Sequence, residues 1–141
     1  MYTSLAPILG WAVLAAILAL AWFRGGPAER VGALIVFVSA AVAMGIHRWA
    51  PQDLKHLLLL ADEAFVALGF LALALRYMSV WLGGAMILQG VQFSLHAYYL
   101  VSELPHDRRY AIINNIDSLG VLACILFGTL LAWRRRAHVA K

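Results

Sequence analysis

Charged residues are scarce in this 141-residue chain, since Asp, Glu, Lys and Arg together make up 13% of it. Soluble domains carry roughly 25%, because their surfaces face water. Hydrophobic residues reach 64%, against roughly 45–50% in soluble domains. A chain of this composition has too few polar groups to cover a water-soluble fold, and we expect an integral membrane protein.

Cysteine and known catalytic motifs are also nearly absent. The single cysteine, Cys124, excludes a disulfide within the chain and any cysteine-based metal motif. The sequence contains neither the HExxH pattern of zinc enzymes nor the CxxCH pattern of haem attachment. We therefore assign no catalytic residue and favour a non-enzymatic role.

Five apolar stretches occupy most of the chain, at residues 4–23, 31–47, 54–75, 79–102 and 110–133. A helix needs about 20 residues to cross the hydrocarbon core. Since lipid contains no water to bind backbone N–H and C=O groups, these groups must be hydrogen-bonded within the helix. The connecting segments are short, so consecutive helices must be antiparallel neighbours, with Asp53 as the expected N-cap of the third. The sequence predicts an all-α polytopic membrane protein in which residues 1–141 form a single bundle of five transmembrane helices.

Basic residues favour one set of loops. Most of the eleven Lys and Arg residues fall in the first loop, the third loop and the C-terminal tail, at Arg24, Arg30, Arg76, Arg134, Arg135, Arg136 and Lys141. These segments share one side if all five stretches cross. Cytoplasmic loops carry an excess of Lys and Arg, which places the N-terminus outside and the C-terminus in the cytoplasm, in what we expect to be a bacterial inner membrane.

The ends of the stretches carry further membrane signals. Tyr2, Trp22, Trp49 and Trp133 fall near the proposed surfaces, where belts of Trp and Tyr are expected. The first stretch lacks the basic segment that precedes a signal peptide, so we expect it to be retained. A basic tail beside a last membrane helix indicates a topology anchor or a contact with anionic lipid. We therefore expect membrane lipid, and no nucleic acid, as a partner.

Ionisable residues occur at one depth in three of the stretches. At 1.5 Å per residue, Asp62 lies about 12 Å below the outer end of the third stretch, with Glu63 beside it. His96 lies about 9 Å deep in the fourth stretch and Asp117 about 10 Å deep in the fifth. A charge at the bilayer centre costs roughly 2.5–3.5 kcal/mol on the insertion scale. A common depth allows mutual pairing to offset that cost.

Helical spacing adds amides to this group. Gln89, Gln92 and His96 share one face of the fourth helix, and Asn114 and Asp117 share one face of the fifth. The candidate site for an ion, a proton or another ligand is therefore Asp62, Glu63, Gln89, Gln92, His96, Asn114 and Asp117. Asp62 and Glu63 point about 100° apart on their helix, so they cannot share one small partner. We expect His96 within hydrogen-bonding or one-water reach of one of the three carboxylates.

The favoured function is proton or cation handling by a channel, a transporter or an ion-coupled subunit, because carboxylates and histidines in membrane helices are the usual parts of such sites. The sequence has no proline at mid-span and no internal repeat, which disfavours transporters built on broken helices. We expect a homo-oligomer or partner membrane subunits. The small residues Gly120, Cys124 and Gly128, four apart, predict a packing face within the bundle or between protomers.

Two other functions stay open. The chain could be a non-catalytic accessory or scaffold subunit of a larger membrane complex, since it is short and has no domain outside the membrane. It could also be a haem or metal-binding redox protein, although the sequence requires no cofactor. Two of His47, His56 and His96 could bind haem iron axially. Alternatively, His96, Asp62 and Asp117 could hold a divalent cation.

Overall fold

Five α-helices make up nearly all of the described chain, and no strand occurs in that part. The computed structural model describes the backbone of residues 5–140 and the side chains of residues 8–140. The helices are α1 (Leu5–Arg24), α2 (Pro27–Trp49), α3 (Gln52–Tyr77), α4 (Val80–Val101) and α5 (Arg108–Val139). The predicted all-α fold with five helices is confirmed. Tyr2, Ser4 and Lys141, which the sequence analysis used, lie outside the described residues.

The largest differences from the predicted stretches lie at the start of α2 and the end of α5, and the predicted cap of α3 also differs. α2 begins before its apolar stretch, at Pro27, because proline suits the first turn of a helix. α5 continues past its apolar stretch to Val139, since basic residues favour the negative end of the helix dipole. The expectation that Asp53 caps α3 is wrong. Pro51 holds the N-cap position and Asp53 lies in the first turn, where a carboxylate still favours the positive end of the helix.

The helices pack in chain order as a closed ring. Each contacts the next, α5 also packs against α1, and α2 contacts α5 across the bundle. The α3–α4 turn is closed by Met78, whose φ of 46° is left-handed. The α1–α2 and α3–α4 turns and the end of α5 share one end of the bundle, here named the tail end. The α2–α3 turn and residues 102–107 lie at the opposite end, here named the loop end.

The apolar core occupies the half of the bundle nearest the tail end. Phe70 and Ile125 are fully buried there, and the Trp81 ring meets Phe70 edge to face, with centroids 6.5 Å apart. A Cβ at Gly128 would lie 2.6 Å from Trp81 Nε1, and a Cβ at Gly120 would lie 2.8 Å from a Leu88 methyl carbon. The small-residue face of α5 therefore packs against α4 inside the bundle, which was one of the two predicted uses.

Large apolar side chains are exposed on all five helices. Leu9, Met44, Leu68, Ile87 and Ile116, one from each helix, are each more than half exposed. α2, α3 and α5 are long and apolar enough to cross a membrane, and α1 contributes a shorter apolar segment, Ile8–Arg24. α4, with 22 residues, is not among the three, and two glutamines and a histidine interrupt its apolar residues.

Candidate functional site

Four of the seven predicted site residues, Glu63, Gln89, Gln92 and Asn114, meet in the half of the bundle nearest the loop end. Glu63 is their centre. Gln92 Nε2 donates to Glu63 Oε1 at 3.0 Å, and Gln89 Nε2 donates to Glu63 Oε2. The two amides lie three residues apart on α4, which places them on one helix face. Each oxygen of the Glu63 carboxylate therefore has an amide donor.

Gln92 also joins the two helices on either side of α4. Its Nε2 lies 3.1 Å from Asn114 Oδ1 and 3.4 Å from Ser118 Oγ, so α5 shares the donor that reaches Glu63. In the described residues, α3 and α5 do not pack directly on each other. The Gln92 amide is therefore the link between them at this level, and its side chain is buried.

Asp117 contributes a buried carboxylate without a partner. The side chain is 4% exposed, and its Oδ2 is buried without a hydrogen-bond partner among the described residues. It lies one helical turn from Asn114, on the same face of α5. A buried polar atom without a partner costs about 1–3 kcal/mol, and more if it is charged, which distinguishes Asp117 from the bonded Glu63.

Asp62 faces the other side of α3. Ser39 Oγ on α2 donates to Asp62 Oδ2 at 2.6 Å, while Glu63 faces α4. The two neighbouring carboxylates thus have different partners, as their spacing on the helix predicted. Ser39 on α2 was not among the predicted site residues. A serine in an apolar helix is as often a packing residue, so the sequence held no signal for this contact.

His96 is held by both nitrogens of its ring. Nδ1 lies 3.0 Å from the Gln92 carbonyl oxygen, and Nε2 lies 2.6 Å from the Tyr110 hydroxyl. The ring is 7% exposed. The expected direct hydrogen bond from His96 to a carboxylate is absent from the described residues, because these two partners occupy the ring. Contact through one water stays a prediction, and Asp62 is the carboxylate whose charge acts on the ring.

Aromatic rings and imidazoles cover the site at the loop end. The His106 ring stacks face to face on the Tyr110 ring, with centroids 3.9 Å apart, and His56 meets His106 edge to face at 4.4 Å. Tyr110 N–H and Tyr99 O–H both donate to Asp107 Oδ1 at 2.9 Å. These two bonds hold the pKa of Asp107 below its usual value, with the Tyr110 N–H the larger cause. Partial burial, and then the charge of His56, lower the pKa of His106.

The donor arrangement does not favour the metal or haem alternatives. No group of three or more His, Cys, Asp and Glu side chains comes together to hold a metal ion in the described part of the chain. The candidate set of His96, Asp62 and Asp117 is therefore not assembled. Haem ligation by His96 would break its bond to Tyr110. His47 Nδ1 lies 2.8 Å from the Ala43 carbonyl oxygen, a bond that leaves Nε2 as its free ring nitrogen.

A second buried carboxylate lies near the tail end and was also missed. Glu29 is 7% exposed. It accepts from Gly26 N–H and from Trp81 Nε1, both at 2.9 Å. The apolar stretch was predicted to begin after Glu29, so the residue was read as part of a loop. Both of its oxygens are bonded, which distinguishes it from Asp117 and indicates a structural role at the start of α2.

Comparison with known proteins gives no match: no family model, no curated protein and no solved structure is similar to the chain. The geometry of the site is therefore the only basis for a function.

Proposed function

We propose that the chain is an integral membrane protein with five transmembrane helices, an external N-terminus and a cytoplasmic C-terminus, in a bacterial inner membrane. The apolar side chains exposed on every helix support this, since soluble monomers rarely expose large continuous apolar surfaces. The orientation is supported by the basic residues of the tail end, because cytoplasmic loops are rich in Lys and Arg.

In this membrane the protein handles protons or cations through its carboxylate cluster, as a channel, a transporter or an ion-coupled subunit. The observation that supports this most is the placement of three carboxyl groups inside the bundle without a basic partner. Asp62 and Asp117 are buried, and Glu63 is partly buried. No Lys or Arg side chain in the described part of the chain hydrogen-bonds to any of the three.

Burying these carboxyl groups without a counter-charge is energetically costly. A buried carboxylate that lacks a counter-charge costs several kilocalories per mole even after local relaxation, and the group neutralises itself instead. With no basic side chain to do so, the neutralising charge must come from solution as a proton or a cation. Sites of this kind inside a membrane mark ion pathways and proton relays.

The outward face of α4 supports an assembly, as a homo-oligomer or with partner membrane subunits. Gly83 and Gly90 lie on this face, and a Cβ at either would meet nothing within 4 Å. Ser94, also exposed, continues the same face. Small residues at such spacing allow helices to approach closely in lipid.

The second candidate is a non-catalytic accessory subunit, and the Gln92 network favours it. Gln92 joins Glu63 on α3 to Asn114 and Ser118 on α5, as interhelical glue does. Bonds of this kind contribute on average about 0.6 kcal/mol in membrane-protein cycles. Under this alternative the cluster stabilises the bundle and carries no ion.

Replacing the carboxylates by amides separates the two candidates. Asp62→Asn and Asp117→Asn keep the shape and the hydrogen-bonding capacity but cannot take up a proton or carry a charge. We expect ion uptake into proteoliposomes to fall by roughly 10²-fold or more, the usual effect of removing a positioned proton-transfer group. Asp53→Asn, at an exposed position on the same helix as Asp62, is the matched control and keeps full uptake.

Thermal unfolding of each variant in detergent completes the test. Unchanged stability with lost uptake supports ion handling. Full uptake in both amide variants, or no uptake of any ion by the unmodified protein, would favour the accessory subunit.

A further inference from the structure

We infer that the ion is a proton, and that His96 Nε2 takes it up from the loop end through the hydroxyl of Tyr110. This inference rests on the proposed function, because it names the ion and the point of entry for the same cluster. It is carried by the hydrogen bonds of His96, the donor types around Glu63 and the position of Tyr110.

The His96 bonds fix where its proton lies. The Gln92 carbonyl oxygen can only accept, so Nδ1, 3.0 Å away, must carry a hydrogen. In the neutral ring Nε2 is then the acceptor, and Tyr110 O–H donates to it at 2.6 Å. Nε2 is therefore the atom that can gain a proton. In an acid–base histidine, the hydrogen bond of one ring nitrogen usually fixes the tautomer and leaves the other nitrogen to exchange the proton.

The groups around Glu63 favour a proton over a metal cation. Its carboxylate oxygens face the N–H₂ groups of Gln89 and Gln92, and amide N–H groups cannot ligate a cation. Alkali and alkaline-earth cations require several oxygen ligands together. Turning either amide to offer its oxygen would set that oxygen against a carboxylate. The arrangement therefore disfavours a metal cation at Glu63, and a proton is the ion that does not need an oxygen cage there.

Asp62 supplies the counter-charge for a protonated His96. The ionisable groups that act on the ring are Asp62 and His56 from α3, His47 from α2 and Tyr110 from α5. Asp62 is the one carboxylate among them. An imidazolium at His96 and a carboxylate at Asp62 balance each other inside the bundle, so uptake of the proton needs no Lys or Arg.

Tyr110 connects this atom to the surface. It lies in the first turn of α5, is 9% exposed, and is covered by the ring of the exposed His106 at 3.9 Å. In the transfer, the O–H bond of Tyr110 breaks as the Nε2–H bond of His96 forms. A proton from water at the loop end restores the tyrosine hydroxyl. The hydroxyl oxygen then accepts a hydrogen bond from Nε2–H, so both groups stay bonded.

Tyr110→Phe tests the route, because it removes one oxygen and keeps the ring that stacks on His106. The matched control is Tyr98→Phe, which removes the same atom from a tyrosine 60% exposed on α4. Proteoliposomes with a clamped membrane potential receive an external acid pulse, and an internal dye reports protons. Uptake of Na⁺ and K⁺ is measured in parallel. We expect proton uptake to fall by roughly 10²-fold in Tyr110→Phe and to stay unchanged in Tyr98→Phe.

Nitrogen-15 NMR of histidine-labelled protein gives a readout that does not depend on flux, with His96→Gln assigning the signal. We expect the neutral Nδ1–H form in alkaline buffer and protonation of Nε2 on acidification. Equal proton uptake in Tyr110→Phe and the unmodified protein would overturn the route. Na⁺ or K⁺ uptake without proton uptake would overturn the choice of ion and leave the proposed function standing. Absence of every ion flux would overturn both.

Discussion

A methyl group added at Gly128 tests the packing that supports the site from below. In Gly128→Ala the new Cβ would lie 2.6 Å from Trp81 Nε1, about 1 Å inside ordinary contact for heavy atoms, roughly 3.5–4.0 Å. The indole cannot simply step back. It donates to Glu29 Oε1 at 2.9 Å. Its far edge lies against Gly32 of α2, so close that a Cβ built on that glycine would be 2.9 Å from the ring. α2 therefore closes the space behind the indole.

The expected loss of stability follows from these contacts. Overpacking a filled core costs about 1–3 kcal/mol. Displacing the indole from the Glu29 carboxylate removes a hydrogen bond to a charged group, about 1.5–3 kcal/mol. Replacing glycine by alanine inside a helix returns roughly 0.5–1 kcal/mol. We therefore expect Gly128→Ala to lower the free energy of unfolding by about 1.5–3.5 kcal/mol, the lower half of the combined range, because α4 and α5 can relax.

The assay is chemical unfolding in detergent micelles, followed by the fluorescence of the tryptophans. The matched control is Gly10→Ala on α1, where a Cβ likewise meets nothing within 4 Å, so we expect stability unchanged or raised. Equal stabilities of the two variants would refute the packing of Trp81 between α2 and α5.

Three further outcomes are expected. The pKa of Asp107 is lowered mainly by the Tyr110 N–H. The stability that Asp107 contributes is therefore complete above the ordinary pKa of an aspartate and is lost as the pH falls through the lowered pKa of the folded state. Asp107→Asn should remove this acid dependence from thermal unfolding curves. Because the pKa of His106 is lowered in the folded protein, the unfolded chain takes up the proton first. Stability should therefore decline as the pH falls below the ordinary histidine pKa near 6.5. His106→Phe should flatten that decline while keeping an aromatic ring stacked on Tyr110. Reporters fused at Lys141 should read cytoplasmic and reporters within residues 103–107 external; a periplasmic C-terminus would contradict five crossings.

The helices and the depth of the site could be predicted because both depend on the cost of burying polar groups. Apolar stretches separated by short turns allow little besides consecutive antiparallel helices. Polar residues inside such helices must face the bundle, so a shared polar level of α3, α4 and α5 followed from depth and spacing.

The individual partners could not be predicted, because they depend on the rotation of each helix about its axis. One side chain can face either of two neighbouring helices at the same depth, and Asp62 turned to Ser39 on α2 rather than to His96. Tyr110 was the first residue of the fifth predicted stretch and not a predicted site residue, since nothing in its sequence context distinguishes a membrane anchor from a hydrogen-bond donor. Glu29 was placed outside the bundle because an apolar stretch marks where lipid begins, whereas α2 starts earlier, at Pro27.

The central claim is that the buried carboxylates exchange a proton or a cation with solution, and infrared difference spectroscopy of the reconstituted protein tests it most directly. Spectra are recorded between acidic and alkaline buffer, and with and without Na⁺ or K⁺, for the unmodified protein and for Asp117→Asn. The account predicts carboxyl bands that change with pH or with the cation, and the loss of one of them in Asp117→Asn. Identical buried-carboxyl bands under all four conditions would contradict it.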